Sequence, residues 1–135
     1  MMRCYQGVDL VEVPAFREVA LRHDRFLHEV FTAGERAYCL SRKDPFPHLA
    51  GRFAAKEACL KAVGIGLSGS GIDHSLQDVE VVSAPSGRPH LSVRGWVGAV
   101  ARRRGVHQWS VSIAHTPGWA IATVILLGDV GDPCP

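Results

Sequence analysis

The chain has 135 residues, enough for one domain with a real core and no need of covalent staples. With 47% hydrophobic and 21% charged residues it has ordinary globular composition, and a net charge of +2 argues against a surface built throughout for nucleic acid. The basic charge is 12 Arg against 3 Lys, which suits bidentate recognition of phosphate and carboxylate or, equally, reflects the base composition of the genome. Cys4, Cys39, Cys59 and Cys134 lack any paired metal-ligand spacing. With no signal peptide and no apolar run near 18 residues, they are expected to be reduced thiols in a cytoplasmic protein that does not meet a membrane.

The β-branched run in YQGVDLVEV predicts a first strand, and Pro14 opens a helix running to about Val30. Thr32 stands three residues before Glu35, a capping-box spacing that starts a second helix ending near Ser41. Lys43 to His48, broken by Pro45 and Pro47, reads as a connector into a long helix over Gly51–Gly66. Leu67 to Ser75 has the Gly/Ser composition of a mobile loop. Strands follow at Val79–Val82 and His90–Val93, with the turn at Pro85–Pro89. A helix over Trp96–Arg104 closes at Gly105, and a final hairpin joins Trp109–Ile113 to Trp119–Leu127. Residues 1–127 are thus read as one domain, and Gly128 to Pro135 as a disordered tail.

The long helix carries the chemistry. At about 100° per residue, Glu57 lies within roughly 40° of Phe53 and 60° of Leu60, so a carboxylate stands beside apolar residues. It would be partly desolvated there unless something positive meets it. Lys61 follows four residues on, and Arg52 and Lys56 form a second basic pair at the same spacing. The plain alternative is a surface helix with one Glu–Lys pair. Asp9 interrupts the first strand, a position that fits a bulge, an edge or a site. Together Asp9 and Glu57 suit a small hard cation, because Mg2+ is held by one or two carboxylates plus waters and substrate phosphates; Lys61 would then face a phosphate. On the first helix Arg17, Leu21, Arg25 and His28, flanked by Arg22, form a basic face opposite Phe16, Val19, Phe26 and Val30. That face is either solvated surface or a docking strip for an acidic helix.

In order, GVDLVEV, FTAGERAY, AGRFAAKEACLKAVGIG, LQDVEV, PSGRPHL and VSIAHT resemble the holo-(acyl-carrier-protein) synthase group of the 4′-phosphopantetheinyl transferases, from about Gly7 to Leu127. The resemblance implies an α+β fold, an antiparallel sheet packed with a long central helix. It implies transfer of 4′-phosphopantetheine from coenzyme A to a serine of an apo acyl carrier protein of fatty acid or polyketide synthesis. Asp9 and Glu57 would hold Mg2+, Glu57 would deprotonate the serine directly or through a metal-bound water, and Lys61 would stabilise the leaving 3′,5′-ADP. Arg52, Lys56 and the Gly64–Gly66 turn would hold phosphates, and Ser112 and His115 would lie beside the coenzyme. Arg17, Leu21, Arg22 and Arg25 would meet the acidic helix of the carrier, and the enzyme would be a homotrimer with three sites at subunit interfaces. Ala114 and Ile65 stand where hydroxyl residues are common in the family. A relative that binds coenzyme A or a carrier without transfer is the alternative, although the retained Asp9, Glu57 and Lys61 speak against it. A small nucleic-acid-binding domain has only the first helix and Arg102–Arg104 for support. The arginine cluster itself reads as solvated surface at a helix end.

Overall fold

Strand β1 (Met2–Glu12) pairs antiparallel along its whole length with β5 (Trp119–Asp129), and β5 pairs on its other edge with β4 (Val106–His115). The computed structural model describes residues 1–65 and 72–129, with the side chains of 72–74 excepted. Alternation along β1 turns Arg3, Tyr5, Gly7, Asp9 and Val11 towards the interior, and Cys4, Gln6, Val8 and Leu10 away from it. Ala120, Ala122, Val124 and Leu126 of β5 are buried on the inner face, against helix α4 (Pro45–Val63).

The approach of α4 to this sheet depends on Gly7. A Cβ there would collide with the Ala58 carbonyl and crowd the Ala62 amide, both backbone atoms that cannot step aside. Gly7→Ala is therefore expected to cost about 1–3 kcal/mol, the usual range for overpacking, and to push β1 off the helix. Urea denaturation checks the stability, and an unchanged midpoint would show that the contact is loose.

Helix α4 is apolar on nearly every side, with Leu49, Ala50, Ala54, Ala55, Ala58, Cys59, Leu60 and Ala62 buried. It starts at Pro45, three residues into the stretch expected to be a connector. Asp44 caps it by accepting from the Phe46 amide at 3.2 Å, and Pro45 and Pro47 fall in the first turn, where a missing N–H breaks no helical bond.

The helix expected over Pro14–Val30 is two helices, α1 (Val13–Arg22) and α2 (Phe26–Val30). A continuous helix would hold Phe16 and Phe26 about 15 Å apart along its axis. The break folds the chain back and brings their rings to 5.6 Å, with Phe53 of α4 at 5.5 and 6.0 Å. Burial of this aromatic cluster outweighs helical continuity.

Helix α3 (Ala33–Leu40) has the expected capping box: Thr32 Oγ1 accepts from the Glu35 amide, and the Glu35 carboxylate accepts from the Thr32 amide at 2.9 Å. Part of the expected loop is helix α5 (Ile72–Asp78), whose Ser75 and Leu76 are buried; residues 66–71 lie outside the described residues. Strands β2 (Val79–Ser83) and β3 (Pro89–Val93) form the expected hairpin, and helix α6 (Gly95–Arg103) leads into β4. Gly128 and Asp129, expected in a disordered tail, belong to β5 because Arg3 and Met2 extend β1 far enough to pair with them. Residues 130–135 lie outside the described residues.

Candidate active site

Asp9 is two residues beyond Gly7, and Glu57 and Lys61 are the neighbours of Ala58 and Ala62 on α4. The close helix–strand crossing therefore brings the three side chains together. Lys61 Nζ donates to Asp9 Oδ1 at 2.9 Å and to the Val8 carbonyl at 3.1 Å. The lysine is thus tied to the strand acid rather than to its helical neighbour Glu57. Among the described residues Glu57 has no ion-pair partner. Burial, then the charge of Asp9, pushes its carboxyl up to about 7, partly offset by Lys61.

An unpaired Glu57 carboxylate beside Asp9, whose one cationic partner among the described residues is Lys61, is a donor set that fits a small hard cation. No group of three or more metal-ligating side chains exists among the described residues, and Mg²⁺ needs none, since waters and substrate phosphates complete its shell. The acids open onto a cleft of about 340 Å³ walled by Ala15, Phe16, Val19, Phe26 and Phe53. Sequence periodicity assigns Phe16, Val19 and Phe26 to the core. Phe16 is buried, but Val19 is 42% exposed and Phe26 only half-buried, because the break after α1 opens this side.

A second pocket lies towards the start of α4, lined by Tyr38, His48, Arg52, Ser83, Pro89 and His115. Arg52 is buried, its guanidinium lies 4.1 Å over the Tyr38 ring, and Nη2 donates to Ser83 Oγ at 2.8 Å. Its Nε has no partner. His48 and His115 meet edge to face at 4.7 Å between ring centres.

Several expected site residues are placed differently. Lys56 is fully buried, and its ammonium pairs with Glu35 at 2.7 Å and donates to the carbonyls of Leu76 and Val79. All three of its protons are thereby engaged, so it clamps α4 to α3, α5 and β2 instead of meeting a phosphate. The expectation that the Gly64 amide faces phosphate is corrected for the same reason: it donates to Leu60 and Lys61 carbonyls in a left-handed helix cap. Gly66 lies outside the described residues. Ser112 differs in parity from Ile113 and His115, so it points to the outer sheet face, away from the Arg52 pocket.

On α1, Arg17 stacks over Phe46 at 5.0 Å, Leu21 is 66% exposed, and Arg22 is paired with Glu18 at 2.7 Å. Arg25 lies past the break, so the expected strip is two pieces rather than one helix face. Arg104, read as solvated, turns its guanidinium against Gly64 at the end of α4. Tyr38 and His48 are pocket residues that sequence reading passed over, since neither falls in a recognisable spacing.

The model of the 4′-phosphopantetheinyl transferase superfamily matches residues 6–124. The holo-[acyl-carrier-protein] synthase of Chloroflexus aggregans is 43% identical over 135 aligned positions, covering 93% of this chain and 96% of that protein. That of Moorella thermoacetica is 40% identical, over 89% and 91% of the two chains. Among solved structures, the ACPS–CoA complex of Chronobacterium ammoniagenes superposes with a TM-score of 0.82 at 31% identity, covering 94% of this chain and 98% of that one. The chain belongs to the 4′-phosphopantetheinyl transferase superfamily and, within it, to the holo-[acyl-carrier-protein] synthases.

Proposed function

We propose that the chain transfers the 4′-phosphopantetheine arm of coenzyme A to a serine of an apo acyl carrier protein, leaving 3′,5′-ADP. The observation that carries this reading is the meeting of Asp9, Glu57 and Lys61 at the mouth of an apolar cleft. The carrier serine oxygen attacks the phosphorus bearing the pantetheine arm, and the bond from that phosphorus to the ADP phosphate oxygen breaks. Glu57, directly or through a metal-bound water, takes the serine proton. Lys61 offsets the charge that grows on the departing ADP phosphate. Asp9 and Glu57 would hold Mg²⁺, which supplies charge neutralisation on the pyrophosphate. Arg52 and His115 hold a coenzyme phosphate on the other side of α4. The decisive test is mass spectrometry of an apo carrier incubated with the chain, coenzyme A and Mg²⁺. A gain of the phosphopantetheine mass supports the reading, and bound coenzyme without that gain supports the non-catalytic alternative.

The same reading extends to assembly and setting. The outer sheet face leaves Val8, Leu10, Ile121 and Ile125 39–59% exposed, the kind of face a homotrimer would bury. Leu10→Arg is expected to shift the mass in light scattering from trimer to monomer and to lower transfer; an unchanged mass removes this face from the interface. Cys4, Cys39 and Cys59 are free, and burial pushes the last two up to about 11 and 12, in keeping with a reducing, cytoplasmic setting. No helix among the described residues is long and apolar enough to cross a membrane.

The carrier would dock across α1, with exposed Leu21 and Val19 beside the cleft and Arg17, Arg22 and Arg25 around it. Charge reversal at Arg25 is expected to raise KM for the carrier with little change in coenzyme affinity. At 1 M salt the Debye length falls to about 3 Å and the gap from wild type should narrow. Leu21→Asp should weaken docking without that salt dependence. An unchanged carrier KM for the arginine reversal at low salt would make this face ordinary surface.

A further inference from the structure

We propose that Gln77 is a positioning residue for carrier-protein docking: by holding the end of α2 against α5 it fixes Phe26 and Arg25 at the mouth of the reactive cleft. The proposal deepens the transferase reading and rests on it, since the partner it serves is the acyl carrier protein.

Helix α2 cannot hold its own place. It has five residues, against the roughly 12–15 that an isolated helix needs in water, and no side chain caps its start. Yet it carries two groups of the docking face. Phe26 walls the cleft beside Asp9 and Glu57, and Arg25, together with Phe26, lines the neighbouring hollow at the break after α1. Ring contacts of Phe26 with Phe16 and Phe53 draw the helix inward. Apolar burial is non-directional, so the height and rotation of the helix are left to polar contacts.

Those contacts come from other elements. Gln77 of α5 donates through Nε2 to the His28 carbonyl and, at 3.3 Å, to the Phe31 carbonyl. Arg36 of α3 adds a bond to the Phe31 carbonyl at 2.6 Å. The last carbonyls of a helix have no partner within it, so these two side chains close the end of α2 from outside. Both amide protons of Gln77 are engaged, and an oxygen in place of that nitrogen would face two carbonyls. The anchor is itself fixed: Lys56 donates to the Leu76 and Val79 carbonyls, one on each side of Gln77. The buried lysine of α4 therefore sets the segment from which Gln77 reaches the wall of the cleft. Gln77 touches none of the reactive acids and acts on docking only through α2.

The test is steady-state transfer to an apo carrier, together with amide hydrogen exchange of the full chain, in Gln77→Ala, Gln77→Glu and Gln77→Lys. Loss of the two neutral hydrogen bonds in Gln77→Ala should raise KM for the carrier about 3–10-fold, with kcat and KM for coenzyme A within about twofold of wild type. The Glu29 and Phe31 amides, which bond the Arg25 and Leu27 carbonyls, should exchange faster, while β1 and β5 keep wild-type rates. Gln77→Glu matches glutamine in size but has no N–H to give, and should behave as the alanine variant does. Gln77→Lys keeps donors for the two carbonyls and should restore both the α2 protection and the carrier KM. Unchanged α2 exchange in Gln77→Ala overturns the proposal, as does faster α2 exchange with an unchanged carrier KM. Wild-type protection in Gln77→Glu, or faster exchange that extends to β1 and β5, overturns it too. The transfer reading survives all four results, whereas a wild-type chain that yields no holo carrier overturns both.

Discussion

Glu57→Ala is expected to lower kcat/KM for phosphopantetheine transfer by about 10³–10⁴-fold, at the upper end of what a lost general base costs, while leaving the fold intact. Glu57 is half-buried at the rim of the cleft, and its removal leaves no buried group unpaired. Asp9→Ala should also abolish most transfer, and it carries a second signature. The Asp9 charge helps hold the Glu57 carboxyl near 7, so an NMR titration of Glu57 should show its midpoint fall in that variant. Lys61→Ala should move the midpoint the other way, because the lysine lowers it, and should reduce kcat more than it raises KM for coenzyme A. Chelation with EDTA should stop transfer reversibly. Full activity in EDTA would leave the two acids with a structural role.

Lys56→Ala should destabilise the protein by about 3–5 kcal/mol, as expected when one partner of a buried ion pair is removed. The deletion strands the fully buried Glu35 carboxylate and frees two buried carbonyls, Leu76 and Val79. Glu35 would still accept from the amides of Thr32 and Val81, so the charge would remain buried with only part of its stabilisation. Replacing both partners by apolar residues, Glu35→Leu with Lys56→Met, should recover part of the loss. Urea midpoints measure the stability, and KM for coenzyme A in the folded single variant should stay near wild type. Unchanged stability with a large rise in KM would return Lys56 to the phosphate-binding role that the family resemblance implied.

The contrast between Lys56 and Lys61 shows why sequence reading reached only part of the site. Both lie on α4 near Glu57, and periodicity describes each as a basic residue on a helix. What separates them is the fold around the helix: α3, α5 and β2 close over Lys56, whereas Lys61 reaches the edge beside Asp9 at 48% side-chain exposure. The same limit applies to Ser112 and His115, which the family resemblance places together beside the coenzyme while strand parity sends them to opposite faces. His48 was invisible for another reason. Its proline neighbours marked the segment as a connector, although both prolines occupy the first turn of the helix.

By itself the sequence determined the α+β class, the family, the capping box at Thr32 and the β2–β3 hairpin, and it singled out Asp9, Glu57 and Lys61, which the fold brings together. These are local or highly specific signals: a spacing of three, an alternation of two, a run of matched residues. Only the tertiary structure decided that the first helix breaks to gather Phe16, Phe26 and Phe53, and that Gly7 lets β1 lie against α4. It alone separated the engaged lysine from the accessible one and joined Tyr38, His48, Arg52 and His115 in one pocket. Burial, orphaned donors and pairings between distant segments follow from how elements pack, and no local residue pattern encodes them.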